Sequence, residues 1–180
     1  MDALTFIIML HKCEGVDVET ANEYLEHYTP QTAIELPEST WGQGGHYWVW
    51  HNQHTAWMWP VIHAAEIRMR QLLREFPNEN EPLKVRVLNQ ALRELLLLES
   101  SDWPFLVTTF QAKDYAVERF EKHVSSFNQL ADMVESGNIE EASLHEMEEV
   151  DNPFSNIDYR WFETFSVPPE QDELVLQTVC

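Results

Sequence analysis

QAKDYAVERFEKHVSSFNQLADMVES, residues 111–136, is the stretch on which the fold turns. Tyr115, Ala116, Phe120, Val124, Phe127, Leu130, Ala131 and Val134 fall on one stripe, the spacing that lines a single face of an α-helix. Gly137 follows where such a helix should stop, because glycine takes up the left-handed closing turn without a Cβ clash. A stripe this long needs other helices to cover it, so the chain reads as mainly α, a helical bundle.

The same period extends upstream. Val87, Leu88, Ala91, Leu92, Leu95 and Leu96 mark a second long helix, and the leucine run 95–98 widens its apolar face, so it should be central. Ile62, Ala65, Met69 and Leu72 or Leu73 predict a third, beginning near Trp59 because Pro60 fits only a first turn, and ending before Pro77. The charged, proline-bearing segment 77–82 connects the two. Residues 2–12 and 20–27 predict two short helices, the first stopped by Gly15, the second closed by Pro30. Downstream, Asn138 with Glu141 predicts a capping box opening an acidic helix to about Val150. A turn at Asn152-Pro153-Phe154 and an aromatic cluster at Tyr159, Trp161 and Phe162 follow. Residues 31–50 have no helical period and carry Pro37 and three glycines, which predicts a long extended loop. The expected organisation is a helical domain over 1–165 and a loosely held tail over 166–180.

Composition narrows the function. A chain of 180 residues with 44% apolar content can form a sizeable core, and a formal net charge of -20 repels phosphate backbones and anionic lipid surfaces. Nucleic acid and membrane are therefore not expected partners, whereas a neutral ligand is easily accommodated. Arg68, Arg70 and Arg74 lie along one helix beside Glu66 and Glu75, which predicts solvated ion pairs and no basic patch. The longest apolar runs are too short to cross a bilayer and no secretory signal is evident, so a cytoplasmic location is expected. Cys13 and Cys180 lack metal-ligand spacing and read as free thiols.

No enzymatic motif emerges from spacing alone. His46, His51, His54 and His63 match no zinc pattern and read as surface or capping residues. There is no nucleophile elbow, and Gly42, Gly44 and Gly45 lack the strand-then-helix setting of a phosphate loop. We expect no metal, no cofactor and no catalytic residue. The informative stretch is 41–50, Trp-Gly-Gln-Gly-Gly-His-Tyr-Trp-Val-Trp, where large aromatic faces surround a glycine-rich turn. Composition favours core packing for such rings, and a ligand-facing wall is the second reading. Asp102, at the end of the central helix, and Gln111 are open to two readings as well: helix-boundary residues, or hydrogen-bonding partners for ligand hydroxyls.

A family resemblance bears on these choices. Leu36-Pro37-Glu38-Ser39-Thr40-Trp41-Gly42-Gln43-Gly44-Gly45, Val49-Trp50 and Thr55-Ala56-Trp57-Met58-Trp59 resemble the C-terminal region of 1,4-alpha-glucan branching enzymes of glycoside hydrolase family fifty-seven. The run Arg93-Glu94-Leu95-Leu96-Leu97-Leu98-Glu99-Ser100-Ser101-Asp102-Trp103-Pro104-Phe105, then Tyr115-Ala116-Val117-Glu118-Arg119-Phe120 and Ile157-Asp158-Tyr159-Arg160, are similar to that family's motifs in the same order. The likeness runs from about Ala21 to Phe162, departing at Pro60 and in the tail. It implies a helical domain normally packed on a (β/α)-type barrel that bears the catalytic carboxylates, with residues 1–30 a remnant of the barrel junction. It further implies that Trp41 and Trp50 wall a glucan cleft, that Asp102 and Gln111 bind glucose hydroxyls, and that Trp48 packs. The expected partners are an alpha-glucan and a barrel, either on a truncated frame's missing part or on a separate chain. A 4-alpha-glucanotransferase or amylase of the same family, or a non-catalytic helical interaction protein, are the alternatives.

Overall fold

A computed structural model describes residues 3–10, 12–13 and 15–162. The chain divides into two compact units, Met1–Ser39 and Thr40–Cys180. The first holds helices α1 (Ala3–Leu10) and α2 (Ala21–His27). Thr20 opens α2 with a reciprocal capping box: its hydroxyl accepts from the Glu23 amide, and the Glu23 carboxylate accepts the Thr20 amide at 2.7 Å. The Thr20 amide and then its hydroxyl, both donating to the Glu23 carboxylate, hold it below the usual carboxylate range. Tyr24 and Tyr28 stack at 4.6 Å, one turn apart.

The second unit contains α3 (Met58–Glu75), α4 (Pro82–Leu98), α5 (Asp102–Thr109), α6 (Lys113–Ser136) and α7 (Glu141–Val150), with 3-10 turns at Gln43–Gly45, Tyr47–Val49 and Tyr159–Phe162. Among the described residues there is no strand. Helix α4 is central, as its pattern predicts, packing on α3, α6 and α7. Leu88, Leu95 and Leu98 of α4 meet Phe120, Phe127 and Leu130 of α6 in one fully buried core. Each such side chain contributes roughly 1.5–3 kcal/mol by leaving water. Tyr115 departs from the predicted stripe and is exposed, while Leu96 breaks the buried leucine run and reaches the surface. Gly137 closes α6 at φ 72, in the left-handed conformation expected of it.

Two local expectations are corrected. The Asn138–Glu141 capping box does not form: α7 begins at Glu141 behind Glu140, and the Asn138 amide donates to the Ser136 hydroxyl instead. Asp102 does not end the central helix but starts α5, an element the periodicity did not reveal. Helix α4 stops at Leu98, and the Trp103 indole reaches back to donate to the Leu97 carbonyl at 2.7 Å. That bond satisfies one of the carbonyls orphaned at a helix C-terminus and lets the chain reverse. Pro104 sits in the first turn of α5, where its missing N–H costs nothing.

Arginine forks tie helices together across the bundle. Arg86 of α4 grips Glu148 through two nitrogens, at 3.1 and 2.7 Å, and Glu141 at 3.0 Å, both on α7. Arg68 of α3 was expected to pair along its own helix; it bonds instead to Glu135 and Asp132 of α6. Tyr159 is fully buried and its hydroxyl donates to the Phe76 carbonyl at 2.7 Å, so the closing segment locks the 77–82 connection. The expected tail 166–180 and Cys180 lie outside the described residues; Cys13 is an exposed free thiol.

Candidate functional site

The aromatic loop folds around Thr40. Its hydroxyl donates to the His46 carbonyl at 2.8 Å and accepts the Gly42 amide at 3.0 Å, cinching residues 40–46 into a compact turn. A Cβ at Gly42 would lie 2.8 Å from the His46 oxygen and 3.0 Å from the Trp50 ring, so no larger residue fits. Gly44 has φ 70, a left-handed conformation that L side chains rarely adopt. The segment read as wholly extended thus forms two short 3-10 turns after residue 42, the first built by glycine.

This turn delivers Trp41 edge-on to Trp50, with ring centroids 5.0 Å apart and planes at 88°. Trp41 also leans on Phe105 of α5 at 5.6 Å. Trp50 is half-buried and anchored: its carbonyl accepts the Thr55 hydroxyl at 2.9 Å and the Trp59 indole at 3.2 Å. Trp41 remains 77% exposed, although both neighbours are aromatic. Trp48, expected to pack, is also about half exposed.

Asn52, which sequence reading passed over, fixes the loop to α5. It is buried, and its amide donates to the Trp48 carbonyl at 2.8 Å and to the Thr108 hydroxyl at 2.7 Å. Its side-chain oxygen accepts the His54 amide, and its own amide donates to Thr55. The spacing Asn52-Gln53-His54-Thr55 is the only sequence signal for this hub, since Asn and Thr side chains both bond locally to turn backbone.

Asp102 and Gln111 bracket the helix this loop lies on. Asp102 is exposed in the first turn of α5 and precedes Phe105 by three positions, so both occupy one helix face, the face that meets Trp41. Gln111 lies just beyond the other end, after Phe110, about 12 Å away along an eight-residue helix axis. Neither side chain caps a helix: α5 and α6 both start without a side-chain cap bond. Trp41 and Trp50 are brought together beside Phe105 of α5, and Asp102 and Gln111 lie at the two ends of that helix.

The four histidines singled out by sequence assemble no metal site among the described residues. The set with ligand spacing is Glu94, His123 and Asp151, whose donor atoms lie within 4.8 Å of one another, all buried. Arg119 occupies this cluster, donating to Asp151 at 3.2 Å and to His123 Nε2 at 3.0 Å. An arginine can only donate, so Nε2 accepts and the ring proton sits on Nδ1, which donates to Glu94 at 2.7 Å. Gln90 bridges the Glu94 carboxylate and the Asp151 carbonyl. The donors are already committed to protein partners, so the set is a polar clasp between α4, α6 and the turn after α7. Trp103 stacks over His123 at 6.2 Å, which carries the clasp to within one residue of Asp102.

Burial, reinforced by the Glu66 carboxylate, pushes the Glu99 carboxyl up to about 7. The folded protein thus keeps a proton that the unfolded chain releases near 4.5. Stability from this group is complete below pH 4.5 and is lost as pH rises through 7. Discounted for partial exposure, the loss is about 1–2 kcal/mol. Glu99→Gln should therefore be more stable than the parent at pH 8 and equal to it at pH 4, read from urea unfolding at both pH values. An unchanged pH slope would refute the assignment.

Against known proteins, the family model for 1,4-alpha-glucan branching enzyme, C-terminal, matches residues 61–162. A 1,4-alpha-glucan branching enzyme of Thermococcus kodakarensis is 41% identical over 166 residues, covering 89% of this chain and 24% of the relative. The crystal structure of that enzyme in complex with glucose and additives gives a TM-score of 0.76 over 87% of this chain and 29% of that one. A branching enzyme from Pyrococcus horikoshii is 37% identical with TM-score 0.76, covering 92% and 32%. An alpha-amylase from Thermotoga maritima is 30% identical with TM-score 0.70, covering 89% and 29%. The chain spans about a quarter of the length of the curated relatives it matches.

Proposed function

The chain belongs to the family of 1,4-alpha-glucan branching enzyme C-terminal domains, and on that premise we propose that it forms the helical wall of a glucan cleft in such an enzyme. Trp41 and Trp50 offer aromatic faces to sugar rings, and Asp102 and Gln111 bind glucose hydroxyls. The observation that carries this reading is the 77% exposure of Trp41 within an aromatic cluster that glycine and threonine hold in place. An indole kept at the surface by a built turn suits the apolar face of a pyranose ring. A net charge of -20 favours a neutral polymer over an anionic one.

Retaining glucan transfer needs a nucleophilic carboxylate and an acid/base carboxylate about 5–5.5 Å apart, acting through a glycosyl-enzyme intermediate. We assign no catalytic residue to this chain. Both carboxylates belong to a barrel, whether on the same polypeptide or on a separate one, and the helical wall excludes water so that a glucan 6-hydroxyl intercepts the intermediate. On this reading the protein serves glycogen or alpha-glucan synthesis in the cytoplasm. Among the described residues no helix is long and apolar enough to cross a membrane.

Amylose treated with this chain plus a barrel-bearing partner should acquire new 1,6 linkages, and neither component alone should produce them. Branching by this chain alone would sink the division of labour. The likeness to an alpha-amylase supports one second reading, hydrolysis or 4-alpha-glucan transfer. Reducing ends or redistributed chain lengths without 1,6 linkages would favour it.

A further inference from the structure

Phe110 is held in a left-handed backbone conformation, φ 58 and ψ 16, at the C-terminus of α5. For a residue with a Cβ this conformation is strained, and such strain persists only where surrounding structure or function compensates it. Packing does not compensate it here, because the side chain is 61% exposed. Its ring nevertheless has defined neighbours. His54 stands edge-on at 5.7 Å and 74°, and the Lys113 ammonium lies 5.7 Å from the ring centroid. His54 is itself fixed, its amide donating to the buried Asn52 side chain and its carbonyl accepting the Trp57 indole at 3.0 Å.

The loop therefore meets α5 at three successive points: Trp41 on Phe105, Asn52 on Thr108, and His54 on Phe110. The first and last present exposed aromatic surface, and the buried hydrogen bond between them sets their separation. Gln111, whose side chain caps nothing, directly follows Phe110. An exposed ring that carries an ammonium over it and an imidazole edge-on beside it matches a neutral polyhydroxylated ring better than an apolar protein surface, which would leave those polar groups unpaired.

We propose that Phe110, positioned by His54, is a second sugar-stacking platform that engages a glucan chain beyond the unit on Trp41 and so selects long chains over short ones. This inference rests on the glucan-binding reading above and adds to it a residue and a chain-length preference.

Isothermal titration of the full chain with maltotriose and maltoheptaose tests this, comparing Phe110→Gly, Phe110→Tyr and Trp41→Ala. Glycine accepts the left-handed conformation freely, so Phe110→Gly should raise Tm by about 2–4 °C. It should also weaken maltoheptaose about tenfold and leave maltotriose unchanged. Phe110→Tyr should retain the heptaose affinity. Full heptaose affinity in Phe110→Gly, or a fall in Tm that accompanies any loss, would overturn the inference. So would weakened association with a barrel-bearing chain at unaltered glucan affinity, which identifies a protein contact. In each of these cases the Trp41→Ala result separately decides whether the glucan-binding reading survives. A parent chain that binds neither sugar, with or without the barrel, overturns both.

Discussion

Glu94→Ala is expected to destabilise the helical unit by about 3–5 kcal/mol, the usual result of removing one member of a buried charged network. Glu94 is wholly buried on α4, where it accepts from His123 Nδ1 at 2.7 Å and from Gln90 at 3.1 Å. Its loss leaves the His123 proton without an acceptor inside a low-dielectric core. It also removes negative charge from a cluster that holds the Arg119 guanidinium, whose Nε already has no partner among the described residues. For a chain of this size the corresponding fall in Tm is about 10–15 °C. Glu94→Gln keeps an acceptor of the same shape and should cost about a third as much. A double-mutant cycle with His123→Ala isolates the pair, and near-additive losses would show that the two side chains do not act together.

Trp41→Ala should do the opposite, lowering glucan affinity about 30-fold, or roughly 2 kcal/mol, while hardly affecting stability. The ring is 77% exposed, so its removal forfeits two aromatic edges and little buried area. Tm should therefore stay within about 2 °C of the parent. In the presence of a barrel-bearing partner the same variant should lose branching activity through weakened substrate binding, seen as a raised KM. A large fall in Tm with unchanged affinity would return Trp41 to the role that composition first suggests, a packing residue. The two substitutions thus separate what holds the helices together from what those helices offer a ligand.

Most of the helical framework was legible along the chain. Helices α3, α4 and α6 follow from apolar spacing, and the stop at Gly137 from a residue type suited to φ 72. Helix α5 was not legible: Ser100-Ser101-Asp102-Trp103-Pro104 carries no period, and the turn depends on the Trp103 indole reaching the Leu97 carbonyl. The elements of the candidate site were legible only in part. Sequence singled out Trp41, Trp50, Asp102 and Gln111, while Asn52, Phe105 and Phe110 acquire meaning only through partners distant in the chain. Asn52 and Thr108 bond across 56 positions, and no local pattern encodes that choice.

Sequence by itself determined the long helices α3, α4 and α6, their apolar faces and the glycine turn, because each depends on neighbours within about four residues and on the conformations a single residue permits. Tertiary structure decided which buried polar groups meet. Glu94 and His123, 29 positions apart, look in sequence like ordinary charged and titratable residues of two helices. Only the packing of α4 on α6 turns them inward and makes each the other's partner, since the cost of burying either alone exceeds what helix formation returns. The same packing sets α5 beneath the aromatic loop, and with it the surface on which Trp41 and Phe110 stand.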